Sequence, residues 1–133
     1  MNKIIMSKFV LLLSLSFLSA CASGPKLPVV DLHKFDSIKR DAINNVAIFN
    51  PANLENKKFQ VLNVVEGHSC QVLSGDPPVT RTRAIEQLKY FAYEMSGDGI
   101  TNIKCAKEGT SLATNCWELI SCTAEVVKFM KEQ

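Results

Sequence analysis

The chain has 133 residues, with 15 Lys and Arg against 13 Asp and Glu. Lys3 and Lys8 lie in the first twenty residues, so the rest of the chain carries thirteen charged side chains of each sign. This balance argues against a nucleic-acid partner, because nucleic-acid binding proteins concentrate basic residues, and no basic run lies on a predicted helix face. A chain of this length is expected to form one small domain with a tail.

The N-terminus has the organisation of a secretory signal. A short basic start is followed by an uncharged apolar run at residues 9–18 and then by the small residues Ser19 and Ala20. The run is about half the roughly twenty residues that a bilayer-spanning helix needs. Residues 1–20 are therefore predicted to be a signal peptide that is removed from the mature protein.

Leu18, Ser19, Ala20 and Cys21 together resemble the lipobox of bacterial lipoproteins, in which the cysteine is acylated and becomes the first mature residue. Cys21 is the predicted lipidation site, and two or three acyl chains would hold the protein on a membrane. Ala22 follows it, and proteobacterial lipoproteins without Asp at this position are usually sorted to the outer membrane. The alternative is an ordinary signal with a stray cysteine near its end.

Residues 21–44 are predicted to be the lipidated N-terminus and a flexible tether, and residues 45–133 to be a periplasmic domain. A glycine and two prolines in the first half of this segment are typical of a linker. Residues 35–43 have weak helical spacing, which fits a short helix, a partner-binding segment or an unstructured linker.

The domain begins with two apolar runs. Residues 46–49 form a short run that ends at Asn50 and Pro51. Residues 59–65 are rich in β-branched side chains and are predicted to form a buried strand, which Gly67 ends or bends.

The clearest helix is predicted to start after Thr80, a suitable N-cap, and to run to Met95. Gly97 and Gly99 are expected to provide left-handed backbone conformations at its exit. Its apolar residues fall on one face: Ala84, Leu88, Phe91, Ala92 and Met95. The outward polar residues form either a solvated face or a partner surface: Arg83, Gln87, Lys89, Tyr90 and Glu94.

Two further strands are predicted, at residues 100–106 and 117–129, separated by a turn near Gly109. The resulting order is strand, strand, helix, strand, strand. The predicted fold is α+β, with a sheet of three to four strands packed on one main helix and stapled by disulfides.

The cysteines are the strongest chemical signal. Cys70, Cys105, Cys116 and Cys122 remain after Cys21, and an even set in an oxidising compartment predicts disulfides, although spacing leaves all three pairings open. No C-x-x-C motif or histidine pair favours zinc or a thiol oxidoreductase. We expect no metal, cofactor or catalytic residue. The run His68-Ser69-Cys70 does not suggest a nucleophile with its base, because adjacent residues of a strand point to opposite faces, and His68 is expected at an exposed strand end.

Several features occur together in this chain: the lipobox, the tether, the residues Gly67 to Cys70, the Pro77-Pro78 pair, one amphipathic helix and the order of the cysteines. In this combination the chain resembles the RcsF family of outer-membrane sensor lipoproteins. The resemblance covers residues 59–124. It implies the pairs Cys70–Cys116 and Cys105–Cys122 in a compact α/β domain. The tether is shorter and less basic than is usual in that family, and the interval between Cys105 and Cys116 is slightly longer.

This resemblance implies a non-enzymatic function. Members of the family sense envelope damage, contact outer-membrane barrel proteins, and activate the Rcs phosphorelay by binding an inner-membrane regulator. We accordingly expect a lipid-anchored, monomeric domain facing the periplasm. Two alternatives remain: a structural or assembly lipoprotein that binds barrels or peptidoglycan without signalling, and a periplasmic thiol enzyme.

Overall fold

The computed structural model describes residues 29–131, so the predicted signal peptide, Cys21 and the first part of the tether lie outside the described residues. The helices are α1 (Ser37–Asn44) and α2 (Arg81–Glu94), and short 3-10 turns occur at Leu32–Lys34 and Pro51–Asn53. The strands are β1 (Ala47–Ile48), β2 (Phe59–Gln71), β3 (Gly99–Glu108) and β4 (Glu118–Phe129). The predicted α+β class and the order of the main elements are confirmed.

The four strands form one mixed sheet in the order β1, β3, β4, β2. β1 pairs with β3 in parallel, whereas β4 is antiparallel to both of its neighbours. The helix α2 covers one face of this sheet, and the main core lies between them. The core consists chiefly of Val65, Leu88, Ile100, Ala124 and Val126.

β2 is longer than predicted and only partly buried. It continues through Gly67, which pairs with Cys122 of β4. A Cβ atom on Gly67 would overlap the carbonyl oxygen of Ala84 in α2 and would lie 2.9 Å from the Gln87 Cβ. The glycine therefore allows the helix to approach the sheet closely rather than ending the strand. The prediction of a buried run at 59–65 is wrong in part, since Val61 and Val64 are exposed.

The main helix begins as its sequence predicts but ends at Glu94, and Met95, predicted on its apolar face, is an exposed C-cap residue. The Thr80 hydroxyl accepts a hydrogen bond from the Arg83 N–H, and Ala84, Leu88 and Ala92 are fully buried. No described glycine has a positive φ; the left-handed residue at the exit is Ser96, with φ of 54°. Gly97 instead lies where a Cβ would overlap the Val126 side chain.

The turn between α2 and β3 is held to the end of β4 by Asp98. Its carboxylate accepts hydrogen bonds from Lys128 Nζ at 2.8 Å and from the Phe129 N–H at 2.7 Å. These bonds, the one from Lys128 first, lower the pKa of Asp98 below its ordinary value. The ionised carboxylate thus contributes to the closure of the sheet at this end.

The described part of the predicted tether is folded. Ile43 is fully buried and Leu32 is nearly so, and α1 packs on α2. Phe35 stacks on Tyr90 with ring centroids 5.5 Å apart. The boundary predicted at residue 44 is therefore corrected: from Val29 onward the chain lies against the domain, and the short helix is the alternative that the structure confirms.

Candidate functional site

The four cysteines of the domain form two disulfides that cross in sequence. Cys70 is bonded to Cys116, and Cys105 is bonded to Cys122. These are the pairs that the family resemblance implies, whereas cysteine spacing alone left three pairings open. The two bridges have different surroundings and therefore different consequences for the surface.

The bridge between Cys105 and Cys122 lies within the sheet. The two residues are directly opposite each other on β3 and β4, with a Cα–Cα distance of 4.1 Å, and Gly67 of β2 pairs with Cys122 on its other side. Cys122 is fully buried under α2. This bridge fastens the central strands, with Cys122 fully buried and Cys105 half-buried.

The bridge between Cys70 and Cys116 joins the end of β2 to the segment that precedes β4. Ser111 and Cys116 exchange two backbone hydrogen bonds, at 3.0 and 3.2 Å, and so close a small loop. Asn115, with φ of 56°, occupies the left-handed region that lets this loop turn. The Trp117 N–H then donates to the Gln71 carbonyl at 2.6 Å. The disulfide and this hydrogen bond together hold the loop against the end of β2.

A second turn lies beside that loop, immediately after β2. The Asp76 carboxylate accepts hydrogen bonds from the N–H groups of Val72 and Leu73, at 3.2 and 2.8 Å. The Gln71 side-chain amide donates to the Asp76 carbonyl at 2.9 Å. The turn is thereby fixed by its own polar groups, and its two apolar side chains are left pointing outward.

These two adjacent segments carry four exposed apolar side chains, which we name the apolar tip and define as Val72, Leu73, Leu112 and Trp117. The exposed fractions of the four side chains are 47%, 66%, 92% and 60%, respectively. Single exposed apolar residues are common, but a group carried on adjacent pinned loops is typical of a contact surface. Tryptophan is also among the residues that contribute most to protein interfaces.

The apolar tip was missed by sequence reasoning. The sequence predicts Trp117 at the start of the last strand, and it assigns no element to Val72, Leu73 or Leu112. One signal was present: Val72 and Leu73 are apolar residues directly before the turn-forming stretch from Ser74 to Pro78. An apolar pair in such a position has no strand partner to cover it.

The arrangement of His68, Ser69 and Cys70 is not catalytic in geometry. His68 lies inside β2, half-buried rather than at an exposed strand end, and its Nδ1 is 3.2 Å from the Ser121 Oγ. Ser69 is buried, and its Oγ accepts a hydrogen bond from the Thr80 N–H at 3.1 Å. Cys70 is occupied by its disulfide. Each of the three side chains thus has a separate contact.

The outward face of α2 is partly covered. Gln87 is buried and hydrogen-bonded to Val30, and Tyr90 is stacked on Phe35. Glu94 forms a salt bridge of 2.9 Å with Lys39, and this hydrogen bond raises the pKa of the Lys39 amine. The interpretation of this face as entirely solvated is wrong, because residues 30–39 lie on it.

Over residues 29–131, no cluster of three or more His, Cys, Asp or Glu side chains is arranged to bind a metal ion. In the same range, no helix has both the length and the apolar character to span a bilayer.

Comparison with known proteins identifies no family. No family model matches the chain, and no curated protein matches it. One solved structure with some similarity is a DUF74-family protein of unknown function from Pediococcus pentosaceus. It is 18% identical, with a TM-score of 0.42, over 56% of this chain and 89% of that one. At this level the similarity supports no conclusion about function.

Proposed function

We propose that this protein is an outer-membrane lipoprotein that senses envelope stress and activates the Rcs phosphorelay through protein contacts. The observation that carries the proposal is the pair of crossed disulfides, one of which pins the apolar tip. The lipobox at Cys21 and the likeness to the RcsF family supply the proposed location and the proposed pathway.

The apolar tip suits a reversible contact with a protein partner. Covering apolar surface releases about 25 cal/mol per Å², and a tryptophan side chain buries on the order of 200 Å². Because the loops are already fixed by a disulfide and backbone hydrogen bonds, little conformational freedom is left to lose on binding. A small preorganised patch of this kind favours an association that can form and dissociate during signalling.

The proposed location follows from lipid anchoring. Acyl chains on Cys21 would fix the N-terminus in the outer membrane, with the domain on the periplasmic side. The partners that fit this position are outer-membrane barrel proteins and an inner-membrane regulator of the relay. Binding, rather than chemical conversion, would be the output.

The proposal is tested by deleting the gene and measuring a phosphorelay reporter under outer-membrane damage. We expect induction to be lost and to return with the wild-type gene. A variant carrying Leu112→Ser and Trp117→Ser should restore less than a tenth of the induction at normal protein level. The matched control is Ile38→Ser, which alters an exposed apolar residue of α1 that is not part of the tip.

Induction that is unchanged by deletion would contradict a signalling function. If deletion instead weakened the envelope without altering the reporter, the protein would be a structural or assembly lipoprotein. Full activity of the tip variant would contradict the apolar tip as the contact surface.

A further inference from the structure

A groove between α2 and the last residues of β2 is occupied by the protein's own N-terminal segment. Residues 29–33, which we name the strap, lie along this groove. A cavity of about 260 Å³ remains between the strap and the groove, lined on the domain side by His68, Ser69, Cys70, Arg83, Glu86 and Gln87. The strap therefore fills the groove incompletely.

The backbone of the strap is bound by one side chain of the domain, Gln87. Gln87 Oε1 accepts from the Val30 N–H at 2.8 Å, and Gln87 Nε2 donates to the Val30 carbonyl at 2.6 Å. The amide thus satisfies both backbone groups of one residue, as a neighbouring strand would. Gln87 is only 5% exposed, so its amide needs a partner when water is excluded.

Recognition of this kind does not depend on the side chain at position 30, because only main-chain atoms are bound. It requires a non-proline residue with a free N–H. The remaining anchor is Leu32, which is nearly buried at the start of its 3-10 turn, where Asp31 has an extended backbone. The strap therefore contributes one backbone pair and one apolar side chain, which is a small contact.

We propose that this groove is a peptide-binding site for an extended segment of a protein partner, and that the strap closes it in the absence of that partner. The partner segment pairs its backbone with the Gln87 amide in the place of Val30. The structure already seats a peptide there through the two backbone groups of Val30, followed by extended backbone at Asp31, which is the reason for choosing this occupant. The strap and the partner segment compete, so the strap is an autoinhibitory element.

Release of the strap also changes the reach of the domain, a consequence that rests on the proposed lipid anchor at Cys21. With the strap bound, the eight residue steps from Cys21 to Val29 span at most about 29 Å. With the strap released and the chain still held at Phe35, fourteen steps span at most about 50 Å. Partner binding would thus be linked to a longer tether, whereas the groove itself is independent of lipidation.

The test uses the mature full-length chain with its disulfides intact and a fluorescent synthetic peptide of residues 26–36. Val30→Pro removes the N–H that donates to Gln87 Oε1, so the strap should leave the groove. The control Val29→Pro leaves that N–H in place. We expect the peptide to bind the Val30→Pro protein at least ten-fold more tightly than the wild type or the control. Adding Gln87→Leu to the Val30→Pro protein should remove the gain.

A peptide carrying the same Val30→Pro change serves as a second control that leaves the protein untouched, and we expect it not to bind. Equal affinity for wild-type and Val30→Pro proteins, no binding to either, or binding of the proline peptide would overturn the proposal. These measurements use purified protein. Absence of peptide binding would therefore contradict the peptide-binding groove but not the signalling function. A negative reporter result would contradict the signalling function but not the groove.

Discussion

Removing the disulfide between Cys70 and Cys116, by the paired change Cys70→Ala and Cys116→Ala, is expected to destabilise the domain strongly. The bridge joins residues 46 positions apart. A closed loop of that length lowers the conformational entropy of the unfolded chain, which stabilises the folded domain by about 4 kcal/mol. Replacing both cysteines avoids a free thiol. Since urea slopes for small domains are about 1–3 kcal/mol per M, the urea midpoint should fall by about 2 M.

The assay is urea unfolding followed by tryptophan fluorescence, with Trp117 as the only reporter. The matched control is the paired change Cys105→Ala and Cys122→Ala. Its bridge joins residues 17 positions apart, so loss of loop closure should lower the free energy of unfolding by about 3 kcal/mol. The loss of packing around the buried Cys122 adds to this amount. Amide exchange at Ser111, whose N–H donates to the carbonyl of residue 116, should accelerate strongly only in the first pair. A midpoint unchanged within about 0.3 M would refute the loop-closure reasoning.

Two further predictions concern the packing and the pH dependence of the domain. Gly67→Ala should lower the free energy of unfolding by about 1–3 kcal/mol, because the added methyl group would overlap the Ala84 carbonyl. The control Gly75→Ala, in open space, should change the free energy of unfolding by less than about 0.5 kcal/mol in chemical denaturation. Equal effects of the two substitutions would contradict the close approach of α2 to the sheet. The lowered pKa of Asp98 gives stability that is present above the ordinary Asp pKa, about 4, and is lost as the pH falls through the lower folded-state value. Asp98→Asn should therefore reduce the loss of stability seen by calorimetry below pH 4, and an unchanged pH profile would exclude the contribution of the Lys128 contact.

The elements that the sequence predicts well are those with local causes. The helix α2 has a capping threonine and an apolar face of helical period, and both signals lie within sixteen residues. The two long strands after it have alternating or β-branched residues, and the fold class follows from their order. Cysteine number alone predicts disulfides but not their pairing, because pairing depends on which strands become neighbours.

The features that the sequence did not predict depend on contacts between distant residues. The strap and α1 are folded because Gln87 binds Val30 and Tyr90 stacks on Phe35, and neither contact leaves a periodic signal near residue 30. Val64 was expected to be buried because an apolar run does not reveal which part of a strand the helix will cover. The core on the helix side of β2 includes Val65.

The apolar tip illustrates the same limit. Its four residues belong to two loops that are 35 or more positions apart in the chain and are brought together by the Cys70–Cys116 bridge. Only the pairing places Leu112 and Trp117 beside the turn after β2. Once the pairing is known, the surface follows from it.

If the protein signals as proposed, the apolar tip contacts a protein of the envelope during stress. The most direct measurement is photo-crosslinking in intact cells, with a photoreactive amino acid at position 112 or 117 and, as a control, at position 38 of α1. We predict a stress-dependent adduct with an inner-membrane protein from the two tip positions and none from the control. No adduct from the tip under stress, or the same adduct from all three positions, would contradict it.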